Sequence, residues 1–61
     1  LSEHKKIAVD ISLKGHDRIE LRDACIEAGF MGIGYYGTFL HVDMGRHRWW
    51  ASKAGRQLWN L

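Results

Sequence analysis

The sequence predicts an α+β fold: a short antiparallel sheet, one helix packed on it and a second helix at the C-terminus. Three observations carry this. Apolar and polar residues alternate over residues 7–12, a capped stripe of helical period follows over residues 17–28, and a second alternating stretch covers residues 38–44. Period two is the mark of a half-buried strand and period 3.6 that of an amphipathic helix.

In the first stretch Ile7, Val9 and Ile11 alternate with Ala8, Asp10 and Ser12. The β-branched residues are expected to face a core, which places Asp10 on the opposite face. Lys14-Gly15-His16 reads as the turn out of this strand. Asp17 can cap a helix, and Glu20 three residues later completes a capping-box-like start. Ile19, Leu21, Ala24, Cys25 and Ala28 then form one apolar stripe, and Gly29 is placed to stop the helix. Cys25 lies on that stripe and reads as packing, not as a nucleophile.

Four glycines interleave with large apolar groups over residues 29–37. Gly32 and Gly34 make a G-x-G, but the third glycine of a dinucleotide fingerprint is missing and no helix follows. The segment reads as a short strand or turn in which backbones pack closely. In the next strand Leu40, Val42 and Met44 share one face, and Phe39, His41 and Asp43 share the other. Beyond Gly45, Trp50, Ala54 and Leu58 follow an i, i+4, i+8 course that predicts a helix through Leu58.

With 61 residues the chain holds at most one domain. A domain of this size buries only about 60% of its unfolded surface, so a metal or a partner is a common support. One cysteine excludes an internal disulfide. The net charge of +2 is unevenly spread: Arg46, Arg48, Lys53 and Arg56 lie beyond Met44 with no acid among them. Such an end can favour an anionic partner, either nucleic acid or a cell-wall polymer, although a solvated surface is the preferred reading. The apolar runs span only a few residues, which excludes a transmembrane helix, and no signal peptide is visible.

Zinc takes imidazole nitrogen and carboxylate oxygen, and His4, Asp10 and His41 supply both. Three such ligands with an open fourth position are the usual arrangement of a hydrolytic zinc enzyme. A strand pair joined through a helix can bring positions 10 and 41 side by side. Asp43 lies two residues beyond His41 on the same face, near enough to orient a ligand or activate water. The plainer alternatives are a surface His4 and a hydrogen-bonded core His41. His16 fits the turn, and His47, between two arginines, fits an exposed position.

Ser2-Glu3-His4 with Ala8-Val9-Asp10 resembles the S-x-H-x-x-G-x-A-x-D motif of the zinc D-alanyl-D-alanine carboxypeptidase family. That family belongs to the wider lysostaphin, D-Ala-D-Ala peptidase and hedgehog fold group. Gly32-Ile33-Gly34-Tyr35-Tyr36, then Phe39-Leu40-His41-Val42-Asp43-Met44-Gly45-Arg46 and Trp49, resembles the G-[IV]-G-x-Y…F-[VL]-H-[VI]-D-x-[GR]…W ending of phage and bacterial members that cut peptidoglycan. The resemblance covers about residues 2–50.

The resemblance implies a hedgehog/D-Ala-D-Ala peptidase-like fold and zinc as cofactor, with His4, Asp10 and His41 as its ligands. Ser2 would sit beside the substrate or the metal, and Tyr36 is the candidate substrate contact. In several relatives the water-activating residue stands two or three positions before the last ligand. Thr38 and Phe39 occupy those positions and cannot do that work, so the base is Asp43 or lies outside this chain. One departure is plain: the family motif has six residues between its histidine and aspartate, including a glycine, whereas this chain has five and no glycine. Because the site begins at position 2, with nothing before it for support, residues 1–61 read as the C-terminal portion of a single zinc peptidase domain.

The function implied is a zinc-dependent carboxypeptidase or endopeptidase acting on peptidoglycan stem peptides or cross-links. It would work in the periplasm or cell wall, or as part of a phage virion or lysis protein. The alternative is a catalytically inactive cell-wall-binding module of the same fold, which the shortened first motif favours. A nucleic-acid binder using Arg46, Arg48 and Trp49-Trp50 is the third class, and oligomeric state is left open.

Overall fold

A computed structural model describes residues 7–61 of the chain. Six elements follow one another: β1 (Ala8–Ser12), α1 (Arg18–Glu27), β2 (Gly32–Tyr35), β3 (Phe39–Asp43), β4 (Arg48–Ala51) and α2 (Lys53–Trp59). The strands form one sheet in the order β1-β3-β2-β4. β3 pairs antiparallel with β1 and with β2, whereas β2 and β4 run parallel. The α+β class is as expected, but the sheet is mixed and not wholly antiparallel.

Helix α1 forms where its cap predicts. Asp17 is extended, and its carboxylate accepts from the N–H groups of Ile19 and Glu20, satisfying two donors that the first helical turn leaves free. Gly29, at φ +104°, ends the helix in a conformation that side-chain-bearing residues avoid. Within the stripe only Cys25 is buried, while Leu21 is half-buried against the core and Ile19 is exposed. Burial pushes the Cys25 thiol pKa up, which suits a packing residue and not a nucleophile.

β4 replaces the start of the expected C-terminal helix. Trp49 and Trp50 are strand formers, and the i, i+4 spacing from Trp50 to Ala54 is compatible with either structure until a pairing partner is known. Here β2 supplies that partner, pairing Gly32 with Arg48 and Gly34 with Trp50. The helix begins only at Lys53, after Ser52, whose hydroxyl accepts from the Gly55 N–H. Met31 ties the end of β3 to the start of β4: its N–H donates to the Asp43 carbonyl and its carbonyl accepts from the Arg48 N–H.

The register sorts the side chains onto two faces. Val42 faces Val9 and Ile33 across the ladders, and Leu40 faces Ile11 and Tyr35. This face carries the core, where Ile33, Tyr35, Leu40 and Val42 meet Cys25 of α1 and Trp59 of α2. Leu40 and Val42 are wholly buried. β1 is an edge strand, which corrects one expectation: Ile7 and Val9 lie on the core side yet remain 49% and 40% exposed, and only Ile11 is half-buried. The opposite face carries Asp10, His41, Asp43, Arg48 and Trp50.

Among the described residues no helix is long and apolar enough to cross a membrane.

Leu40→Ala should lower unfolding free energy by about 2–5 kcal/mol, because it removes a wholly buried side chain from the central strand. A core of this size supplies only about 3–5 kcal/mol in all, so the variant is expected to be largely unfolded. Ile26→Ala, at a residue 51% exposed, should cost under about 1 kcal/mol. Urea unfolding followed by circular dichroism checks both; equal effects would contradict the assignment of the core.

Candidate functional site

The polar face is organised by strand register. Asp10 pairs with His41 across β1 and β3, His41 with Gly34 across β3 and β2, and Gly34 with Trp50 across β2 and β4. The next row runs Ala8, Asp43, Gly32, Arg48. Alternation along each strand therefore brings Asp10, His41, Asp43, Arg48 and Trp50 to one surface. The two glycines leave the floor of that surface bare. A Cβ on Gly32 would collide with the Asp43 carboxylate and the Arg48 guanidinium, and one on Gly34 would come within 2.7 Å of the Trp50 ring.

Across Gly32 the Arg48 guanidinium grips Asp43 with both amino groups, Nη1 donating to Oδ1 at 2.9 Å and Nη2 to Oδ2 at 2.8 Å. The Gly45 N–H donates to Oδ1 at 2.9 Å. Asp43 Oδ2 also lies 3.0 Å from His41 Nε2, and on the other side of the ring His41 Nδ1 lies 2.8 Å from Asp10 Oδ1. The imidazole is thus held between two carboxylates. Bonding from Arg48, and then from His41 and Gly45, holds the Asp43 carboxyl well below the usual carboxylate range despite its burial. Hydrogen bonding to Asp43, with Asp10 adding to it, raises the His41 pKa above its ordinary value. Each ring nitrogen thus faces one carboxylate oxygen.

The aromatic residues form a wall beside this row. Trp50 tilts against His41 with ring centres 5.3 Å apart, and the Arg48 guanidinium lies over the Trp50 ring at 4.9 Å. Trp50 Nε1–H donates to the Tyr36 hydroxyl at 2.8 Å, and Tyr36 stacks on Phe39 at 4.4 Å. The two tyrosines separate cleanly. Tyr35 is buried in the core against Trp49 and Trp59, whereas Tyr36 belongs to the wall, with its hydroxyl hydrogen left for another acceptor.

Of the residues singled out in sequence, Asp10 and His41 are brought together, and Asp43 and Tyr36 lie on either side of them. Ser2 and His4 lie outside the described residues. Among the described residues no group of three His, Cys, Asp or Glu side chains is placed to hold a metal ion, since Asp43 sits on the far nitrogen of His41. Two donors do fit one. Zinc bonds of about 2.0–2.2 Å at tetrahedral angles set neighbouring donors roughly 3.3 Å apart. Asp10 Oδ1 and His41 Nδ1 stand 2.8 Å apart, and the Asp10 side chain, 63% exposed, is free to open that small distance. The carboxylate behind the other ring nitrogen is what metal-ligating histidines usually have.

Arg48 and Trp50 stood out in sequence only as part of a basic, aromatic end; their place beside Asp43 and His41 was not legible, because it depends on the parallel pairing of β4 with β2. The nearest sequence signal is Gly32, whose missing side chain makes room for Arg48 to reach Asp43.

Stability of the metal-free chain should pass through a maximum between about pH 4 and 6.5, the ordinary carboxylate and imidazole values. Asp43, with its folded pKa depressed, contributes fully above the unfolded carboxylate value, and that contribution is lost as pH falls through the folded pKa. His41, with its folded pKa raised, contributes fully below 6.5, and that contribution is lost as pH rises through its folded pKa. Thermal midpoints across pH 2–9 check this, and His41→Ala should flatten the alkaline limb; an unchanged limb in that variant would remove His41 from the account.

No family model matches the chain, and neither does any curated protein or solved structure.

Proposed function

We propose that the chain contributes a zinc centre for hydrolysing peptide bonds, with peptidoglycan stem peptides or cross-links as substrate. The observation that carries the proposal is the Asp10–His41 pair: two zinc-type donors meet across neighbouring strands, and an ionised carboxylate stands behind the histidine. His4 is the proposed third ligand, by its place in the first motif. The resemblance of residues 2–50 to the zinc D-alanyl-D-alanine carboxypeptidase family supplies the substrate class, and with it action in the periplasm or cell wall or within a phage lysis apparatus.

When bound, zinc would polarise the scissile carbonyl and lower the pKa of a water molecule. The chain's own residues do the positioning. His41 donates through Nε2 to Asp43 and turns Nδ1 toward Asp10. Asp43 is suited to hold this imidazole and poorly suited to take a proton, because Arg48 and Gly45 already engage it and keep it ionised. That points to a general base elsewhere, which was one of the two possibilities the sequence left. Tyr36, with its oxygen fixed by Trp50, can offer its hydroxyl hydrogen to a substrate carbonyl or carboxylate.

A second reading has its own observation. Asp10, His41, Asp43 and Arg48 form a chain of ion pairs that is complete without a metal. A cell-wall-binding module that has lost the chemistry would keep this arrangement.

Elemental analysis of the purified chain should find one zinc per molecule, falling below about a tenth of that in His41→Ala. Zinc-dependent release of peptides from purified peptidoglycan should fall at least about 10³-fold in the same variant, consistent with several kcal/mol of lost transition-state stabilisation. Absence of zinc, with no hydrolysis restored by adding it, would sink the peptidase reading. Wall binding unaffected by His41→Ala would then favour the second.

A further inference from the structure

The side-chain hydrogen bonds of Arg48 go to Asp43 and to the Arg46 carbonyl, none of them on the Asp10 side of His41. Its surroundings nevertheless hold it in one place. It stands opposite Gly32 in the β2–β4 register, where a Cβ would occupy the space its guanidinium crosses. Nη1 also donates to the Arg46 carbonyl at 3.2 Å, and the guanidinium rests on the Trp50 ring. Pairing, stacking and a backbone bond thus converge on one side chain.

We propose that Arg48 is the positioning residue of the centre: by gripping Asp43 it keeps the hydrogen of His41 on Nε2 and leaves Nδ1, with its electron pair, facing Asp10 for a divalent cation of the zinc type. This role rests on the zinc reading above. A carboxylate held at one point can swing or rotate about its own bond. The planar fork of Arg48 fixes the carboxylate plane, since it engages both oxygens in parallel. Gly45 N–H takes a further position on Oδ1, so what Oδ2 has left is directed at the imidazole. An acceptor fixed in this way admits one ring orientation and one tautomer of His41. Lysine could supply the charge but not the plane.

The sign of the effect separates positioning from simple charge. Removing a cation close to a bound dication, with nothing else changed, strengthens metal binding. Loss of positioning weakens it, by about 10–100-fold where the partner of a ligating histidine is disturbed. Competition titration with a chromogenic zinc chelator should therefore show weaker binding in Arg48→Gln by about that factor. Arg48→Lys should recover only part of it, and Arg46→Gln, which removes an exposed neighbouring charge, should not weaken binding. Nitrogen-15 NMR of the imidazole in the zinc-loaded unsubstituted chain should show His41 protonated at Nε2 and metal-bound at Nδ1.

Zinc bound as tightly or more tightly by a folded Arg48→Gln chain overturns the role of Arg48 and leaves the zinc reading standing. Metal found on Nε2 overturns it as well, and needs no variant to fold. If the unsubstituted chain binds no zinc, the reading itself fails and the role falls with it.

Discussion

The Asp43 carboxylate sits in the wall of a sheet, largely withdrawn from water, and an ion in that position must be answered by hydrogen bonds and opposite charge. The fork of Arg48, the Gly45 N–H and the His41 ring answer it. Much of the polar face follows from this requirement. Arg48 reaches Asp43 only if the intervening strand carries no side chain at that point, which makes position 32 a glycine. It starts from the right place only if β4 lies parallel beside β2. Once the guanidinium is seated there, its free surface is available to Trp50, and Trp50 in turn fixes Tyr36.

The two faces of the sheet therefore answer to different physics. On one, Leu40, Val42, Ile33 and Tyr35 are held by exclusion from water beneath two short helices. On the other, directed bonds between charged groups set the positions of the side chains. β3 belongs to both, alternating Leu40 and Val42 with His41 and Asp43. A change in its register by one residue would exchange the faces and disable core and site together.

The parts of this arrangement that could be read from sequence are those decided locally. Helix α1 was legible because Asp17 and Gly29 mark its ends by their own chemistry. β3 was legible from strict alternation, and with it the shared face of His41 and Asp43. The pairing of Asp10 with His41 followed from the resemblance and from strand periodicity taken together. What escaped was non-local. The spacing of Trp50, Ala54 and Leu58 suits a helix until β2 is known to lie alongside, so β4 was hidden and Arg48 with it. The exposure of Ile7 and Val9 reflects the place of β1 at the sheet edge, which alternation cannot reveal. The grip on the Asp43 carboxylate that keeps it ionised comes from a partner five residues away that only folding delivers.

The edge position of β1 has one more consequence. Asp10 stands on the strand with one neighbour, while His41 stands on a strand held from both sides. Fraying of β1 would carry one donor away and leave the other in place. An ion shared between them would act as a rivet through an outer seam of the sheet, binding only while the seam is shut. Its concentration would then govern how often the edge opens, by mass action, and a chelator would loosen β1 before it disturbed the core.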